Sequence, residues 1–129
     1  MSTLVAALLL IVGVIHLLPV AGVLGADRLA ALYGLPFDDP SLAVLMRHRA
    51  VLFGLLGALL VYAAFVPTAR TLAFVGGFVS VVSFLVFARL EGGYNAAVGR
   101  VVTADWVALA CLVVGVVLHA SVNRSVMAG

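Results

Sequence analysis

The chain has 129 residues, of which 66% are hydrophobic and only 9% are charged, and its formal net charge at pH 7 is +2. A water-soluble domain usually carries about 25% charged residues, and a soluble core of this size does not bury so much apolar surface. The composition therefore excludes an ordinary soluble protein and predicts an integral membrane protein.

Four apolar segments have lengths close to the ~20 residues that a helix needs to cross a bilayer. Their hydrophobic runs are continuous rather than alternating, which favours helices over the strands of a closed barrel. We therefore predict an all-α integral membrane four-helix bundle that forms one domain over residues 1–129. The predicted spans are 4–25, 42–65, 72–88 and 101–122.

The first span contains His16, three residues before Pro19. The segment lacks the positively charged start of a secretory signal, so we expect it to be retained as a membrane helix. A histidine at this depth titrates near neutral pH, which makes His16 a candidate catalytic acid or base. A structural alternative is a hydrogen bond from His16 to a backbone carbonyl that Pro19 leaves free.

The first loop, residues 26–41, predicts a short interfacial helix over 28–33 that ends at Gly34. Asp38 or Asp39, followed by Pro40, supplies the residue types that begin a helix. The link between the second and third spans, residues 67–71, is too short to hold a site.

The second span carries Arg47, His48 and Arg49 within its first turns, next to a long apolar run. Charges inside a membrane helix are costly, and they usually face a bundle interior or pair with an opposite charge. Residues two positions apart lie on different helix faces, so we expect one arginine to point inward and the other to reach the headgroups. We assign the inward position to Arg47. Alternatively, all three are the positive flank of a shorter span that begins at Ala50.

The loop after the third span contains Glu91, Tyr94 and Asn95, and Asp105 begins the inward face of the fourth span on the same membrane side. We predict that Arg47 or Arg49 pairs with Asp105 or Glu91. His16 would point into the resulting polar chamber. Tyr94 and Asn95 either cap a turn or line the chamber mouth.

Small residues predict where the helices approach one another closely. The candidate stripes are Gly54 with Ala58, Gly76 with Ser80 and Ser83, and Ala108 with Cys111 and Gly115. Cys111 is the single cysteine, so the chain forms no internal disulfide. We interpret Cys111 as a packing residue. Because His16 and His119 differ in depth and no metal-binding motif is present, we predict no bound metal; the cofactor is unknown.

Arginine counting predicts the orientation, since the chain contains no lysine. The side with the two long loops has five arginines against two on the other side, which places both termini outside the cytoplasm. The positive net charge of the chain is explained by these orienting arginines. We expect no nucleic-acid binding, because the arginines are neither clustered nor interleaved with aromatic residues.

Three stretches, "HLLPVAGVLGADRLAALYG", "MRHRAVLFGLLG" and "GGYNAAVGRVVTADW", together resemble a group of small bacterial four-span membrane proteins that are loosely DoxX-like. The resemblance covers most of the chain and carries no catalytic motif. It implies a multi-pass protein of the bacterial inner membrane.

Two classes of function follow from the polar residues. In the first, a cytoplasm-side chamber binds or transforms a small amphiphilic or anionic molecule whose head is recognised by arginine. In the second, the polar cluster only locks helix packing in an accessory membrane subunit, or a homo-oligomer forms a proton-coupled carrier. Membrane lipid is an expected partner of the spans. A second copy of the chain is also expected, because four short spans enclose little space of their own.

Overall fold

A computed structural model describes residues 1–129 and shows an all-helical fold. Four helical segments are long and apolar enough to cross a membrane: Ser2–Leu24, Pro40–Phe65, Pro67–Glu91 and Ala96–Ala128. The predicted all-α four-helix membrane bundle is confirmed. The helices are α1 (Ser2–Leu17), α2 (Ala26–Tyr33), α3 (Pro40–Phe65), α4 (Arg70–Glu91) and α5 (Ala96–Ala128), with 3-10 segments at Leu18–Leu24 and Pro67–Ala69.

The first span changes its winding at Pro19. The α-helix ends at Leu17, and the segment Leu18–Leu24 continues it as a 3-10 helix. Proline has no amide hydrogen and its ring clashes with the preceding turn, so it disfavours a continuing α-helix. A 3-10 helix rises more steeply per residue, which carries the chain to the membrane surface in fewer residues.

The short helix α2 and the start of α3 follow the predicted local signals. Gly34 ends α2 with a left-handed φ of 66°, and its amide donates to the carbonyl of Ala30 at 2.8 Å. Glycine adopts this conformation without the steric cost that other residues meet. Asp39 begins α3 by accepting a hydrogen bond from the amide of Ser41 at 2.8 Å, with Pro40 at the first helical position.

The four spanning helices form a closed ring in which α1 contacts α3 and α5, and α4 contacts the same two helices. The core between them is built from small and branched apolar residues, among them Leu9, Leu60, Val81 and Leu112. Helix α2 packs across one end of this ring, against the 3-10 segment, α3 and α5. We call this end the α2 side of the membrane; the Gly92–Asn95 turn lies there too.

The closest helix approach is between α1 and α3, at Gly13 and Gly57. A Cβ atom on Gly57 would lie 2.8 Å from Cγ of Leu17, and one on Gly13 would lie 2.8 Å from Cγ2 of Val61. The sequence stripes placed the α3 contact at Gly54 and Ala58, but Ala58 is exposed. Gly54 does lie close to the first span, since a Cβ atom there would be 3.2 Å from Cγ2 of Val20. The other small residue of this contact is Gly57 and not Ala58, because the stripe pattern does not reveal which side of α3 the first helix covers.

Replacing Gly57 with alanine is therefore expected to force α1 and α3 apart. Overpacking of a close contact typically costs about 1–3 kcal/mol. We expect a lower unfolding free energy for Gly57→Ala in detergent, measured by denaturant titration followed by circular dichroism. Gly99→Ala is the control, because the nearest neighbour of its added Cβ would be 3.9 Å away. An unchanged midpoint for Gly57→Ala would contradict the assigned helix contact.

At the opposite end of the bundle, Arg70 is buried with only 5% of its surface exposed. Its guanidinium donates to the carbonyls of Ala63 (3.2 Å) and Ala64 (3.2 Å) at the end of α3. It also donates to Oγ of Ser2 at 3.0 Å, at the start of α1. The carbonyl of Ala63 lacks its usual helical donor because the residue four positions later is Pro67. We call this set of contacts the Arg70 clamp.

Candidate functional site

A partly open cavity of about 260 Å³ lies between α1, α2, α3 and α5 on the α2 side of the bundle. Its volume corresponds to about nine water molecules at roughly 30 Å³ each. Most of its wall is apolar, and the charged or titratable groups on it come from four different helices. The lining residues are Ile15, His16, Leu18, Pro19, Leu32, Tyr33, Arg49, Phe53, Ala97, Arg100, Val101, Ala104 and Asp105.

The mouth of the cavity is marked by the lining residues that remain exposed. Leu18 is 64% exposed on the 3-10 segment, and Arg100 is exposed near the start of α5. His16, Tyr33 and Asp105 lie deeper and are buried. The opening therefore carries an apolar side chain and a cation side by side, between the first and fourth spans.

The polar groups of the cavity lie at similar depths because of where their helices begin and end. Arg49 and Asp105 each follow the start of their helix by nine residues, which is about 14 Å along the axis. His16 precedes the end of the first span at Leu24 by eight residues, roughly 15 Å along mostly 3-10 winding. Three distant sequence positions thus meet at one level.

Arg49 is the arginine that faces the cavity. Its Nη1 donates to the hydroxyl of Tyr33 at 2.7 Å. Its guanidinium carbon lies 4.4 Å from the ring centre of Phe53, 5.6 Å from that of Tyr33 and 5.8 Å from that of Phe84. Cation–π attraction of this kind stabilises a desolvated guanidinium. Most of its five N–H donors make no hydrogen bond to the protein.

Arg47 points away from the cavity, which corrects the assignment made from the sequence. It is exposed, and its Nε donates to the carbonyl of Val23 at 2.9 Å, near the end of the 3-10 segment. His48 is exposed as well. The two arginines do occupy different faces of α3, as their spacing predicts. The inward one is Arg49 because α4, α5 and α2 surround that face, and the sequence of α3 alone does not specify this.

Asp105 is the only acidic residue that lines the cavity. Just 9% of its surface is exposed, on the buried stripe of α5 that includes Ala108 and Leu112. Its carboxylate oxygens make no hydrogen bond to the protein but keep accessible surface at the cavity, and no guanidinium nitrogen lies within 4.0 Å of them. The predicted ion pair with Arg47 or Arg49 is therefore not formed, although Arg49 borders the same cavity.

His16 is 2% exposed and is held at both ring nitrogens. Its Nδ1 lies 2.9 Å from the carbonyl of Val12, and its Nε2 lies 3.2 Å from Oγ of Ser80 on α4. Because a carbonyl only accepts, Nδ1 carries the proton, and in the neutral ring Nε2 accepts from the serine hydroxyl. The carbonyl bonded is that of Val12, not the one that Pro19 leaves without a donor. The contact ties α1 to α4 across the bundle.

Asn95 begins α5 and also fixes α2. Its Oδ1 accepts from the amide of Val98 at 2.9 Å, and its Nδ2 donates to the carbonyls of Tyr33 (2.8 Å) and Gly34 (3.3 Å). It does not line the cavity, but it positions the helix end that carries the Tyr33 hydroxyl. Of the two predicted roles for Asn95, capping is the one that these contacts bear out.

Two other predicted site residues, Glu91 and Tyr94, lie outside the cavity. Glu91 ends α4 and is exposed, and Tyr94 is 45% exposed in the following turn. Sequence position placed Glu91 on the correct membrane side, but the lateral position of α4 in the ring separates it from the cavity.

Sequence reasoning missed Tyr33, Phe53 and Arg100 as parts of the site. Tyr33 ends a helix that the sequence places at the membrane interface, yet it is buried and accepts the hydrogen bond of Arg49. The helical spacing of Phe53, four residues after Arg49, was the available signal, because side chains at this spacing share a helix face. No group of three or more histidine, cysteine, aspartate or glutamate side chains is arranged to hold a metal ion.

The site therefore combines an apolar wall, a cation held by aromatic rings and a buried carboxylate without a protein partner. Such a combination suits a molecule with an apolar part and a polar head. No protein-family model, curated protein or solved structure matches this chain.

Proposed function

We propose that the protein binds a small amphiphilic molecule in the cavity on the α2 side, with the polar head inside and the apolar chain leaving through the mouth. The observation that carries this proposal is that Arg49 and Asp105 both line one mostly apolar cavity. Binding cavities are typically apolar with a few convergent polar groups that fix the orientation of the ligand.

The free donors of Arg49 are the main contact for the ligand head. A guanidinium presents several N–H groups in a planar fork, which suits phosphate or carboxylate oxygens. Only one donor of Arg49 bonds to the protein, namely the one on the Tyr33 hydroxyl. In a desolvated site, the remaining donors favour a ligand that supplies acceptor oxygens.

The mouth suits entry from the membrane. Leu18 offers apolar surface and Arg100 offers a positive charge at the rim, between α1 and α5. An acyl chain would extend past Leu18 into lipid, and an anionic head would be attracted by Arg100. The ligand would then lie in the leaflet on the α2 side. The predicted arginine orientation makes this the cytoplasmic leaflet.

We assign His16 a positioning role within this proposal. Both of its ring nitrogens have partners in the protein, so it presents no free nitrogen to a bound molecule. Its ring forms part of the cavity wall and lies 5.7 Å from the ring of Phe53. The function proposed is therefore binding, and catalysis by His16 stays a prediction from the sequence.

The cavity is formed within one chain, so this binding function does not require a second subunit. The homo-oligomer, the bacterial inner membrane and the DoxX-like affiliation stay predictions. Both termini lie on the side opposite α2, because the chain has four spans.

Filling the cavity tests the proposal. Ala104 lines the cavity on α5, and Ala104→Trp is expected to occupy the space of the ligand head. The protein in detergent is mixed with lysophosphatidylethanolamine, lysophosphatidylglycerol, lysophosphatidylcholine and a fatty acid, and bound species are measured by native mass spectrometry. We expect a one-to-one complex with the native protein and none with Ala104→Trp.

Ala110→Trp is the matched control, since Ala110 lies on the same helix but is exposed. This variant is expected to bind as the native protein does. Equal binding by Ala104→Trp and Ala110→Trp would contradict the cavity as the binding site, and so would the absence of any complex with the native protein.

A further inference from the structure

We infer that the head of the bound amphiphile is zwitterionic, with a primary ammonium on Asp105 and an acidic phosphate on Arg49, as in an ethanolamine phospholipid or its lyso form. This inference rests on the proposed function and names its ligand class. The observation behind it is that two opposite charges border one cavity without pairing with each other.

The carboxylate of Asp105 points to a cationic group. The residue is nine-tenths buried and borders the cavity. Its carboxylate oxygens accept no hydrogen bond from the protein and keep accessible surface at the cavity. A buried carboxylate is costly unless an opposite charge or several donors compensate it. A primary ammonium supplies a full charge and three N–H donors in a small volume.

Arg49 attracts the carboxylate of Asp105 through space but does not hydrogen-bond to it. Its guanidinium is held by the Tyr33 hydroxyl and by the ring of Phe53, whose centre is 4.4 Å away. These contacts come from α2 and from the next turn of α3, and they leave its nitrogens more than 4.0 Å from the carboxylate. The gap between Arg49 and Asp105 allows a ligand head group to contact both charges.

The size of the cavity agrees with such a head. A phosphoethanolamine group has about eight non-hydrogen atoms, comparable to the roughly nine water volumes of the cavity. Two acyl chains do not fit in this space, so they remain at the mouth or in the bilayer. A purely anionic head of the same size would bring a second negative charge toward Asp105, which disfavours it.

The expected selectivity is measured by titrating three lysolipids with one acyl chain in common into the protein in detergent, followed by native mass spectrometry. We expect the native protein to bind lysophosphatidylethanolamine about tenfold more tightly than lysophosphatidylglycerol, which has no cation. It should also exceed lysophosphatidylcholine by about tenfold, because the choline nitrogen has no N–H donor.

Asp105→Asn keeps the shape of the side chain and removes its charge. We expect it to bind lysophosphatidylethanolamine about tenfold more weakly and to lose the preference over lysophosphatidylglycerol. Asp27→Asn is the matched control, because Asp27 is an exposed carboxylate on the α2 side. It should leave all three affinities unchanged.

The outcomes separate this inference from the proposed function. If the native protein binds the three lysolipids equally, or if Asp105→Asn leaves the order unchanged, the zwitterionic head is wrong while amphiphile binding stands. If none of the lysolipids or fatty acids binds the native protein, the proposed function itself is wrong.

Discussion

Arg49→Ala is expected to weaken binding of the amphiphile strongly while the bundle still assembles. The substitution removes the donors that face the cavity and the cation that stacks on Phe53. Charge-assisted hydrogen bonds to an anionic head are each worth about 1.5–3 kcal/mol, so affinity should fall by roughly tenfold to a hundredfold. Titration of lysolipid followed by native mass spectrometry measures the change.

Arg47→Ala is the control for this experiment, because Arg47 is two residues away, exposed and bonded only to the carbonyl of Val23. Its affinity for the lysolipid should equal that of the native protein. Arg49→Lys keeps the charge but loses the planar fork, so intermediate binding is expected. Greater loss from Arg47→Ala than from Arg49→Ala would show that the inward and outward assignments are reversed.

Arg70→Ala is expected to lower stability more than any other single arginine substitution. The side chain is 5% exposed and ties the end of α3 to the start of α1. Without it, the carbonyls of Ala63 and Ala64 lose their donor in a buried position. The expected loss is about 3 kcal/mol of unfolding free energy, from removal of a charged hydrogen-bond partner.

Denaturant unfolding in detergent measures this loss. Arg70→Lys should be intermediate, because one ammonium does not reach all the acceptors that a guanidinium spans. Arg124→Ala, at an exposed position of α5 on the same side as the Arg70 clamp, should leave the unfolding free energy unchanged. If Arg70→Ala and Arg124→Ala unfold at the same denaturant concentration, the clamp does not stabilise the bundle.

The number, type and approximate limits of the helices could be predicted because they depend on local patterns. Lipid imposes a fixed length on each span, and residues such as Gly34, Asp39 and Asn95 end or begin helices through contacts close to them in the chain. The buried stripe of α5 from Asp105 through Ala108, Leu112 and Gly115 likewise follows from helical spacing.

The composition of the site depends on how the helices are arranged around one another, which local patterns do not contain. Arg47 and Arg49 are equivalent by charge and depth, and only the positions of α2, α4 and α5 around α3 distinguish them. The same holds for Gly57, which is buried, and Ala58, which is exposed. Hydropathy makes every face of these helices look alike, since lipid and core are both apolar.

The Arg70 clamp could have been recognised from the sequence. Pro67 follows Ala63 by four residues, which leaves a carbonyl without its donor, and Arg70 is three residues further on. From the sequence, this link was interpreted only as too short to hold a site. A cation that follows a proline at a helix end therefore indicates a contact with the free helix carbonyls. Counting Arg70 only toward membrane orientation overlooks this contact.

The central claim is that the head of an amphiphile lies between Arg49 and Asp105, and photo-crosslinking tests it directly. A lysophosphatidylethanolamine with a diazirine near the carbonyl end of its chain is irradiated with the protein, and adducts are located by mass spectrometry of peptides. We expect adducts at the cavity mouth, on Leu18 and Arg100. Adducts confined to outward residues such as Leu55 and Val113, which are exposed elsewhere on the bundle, would contradict it.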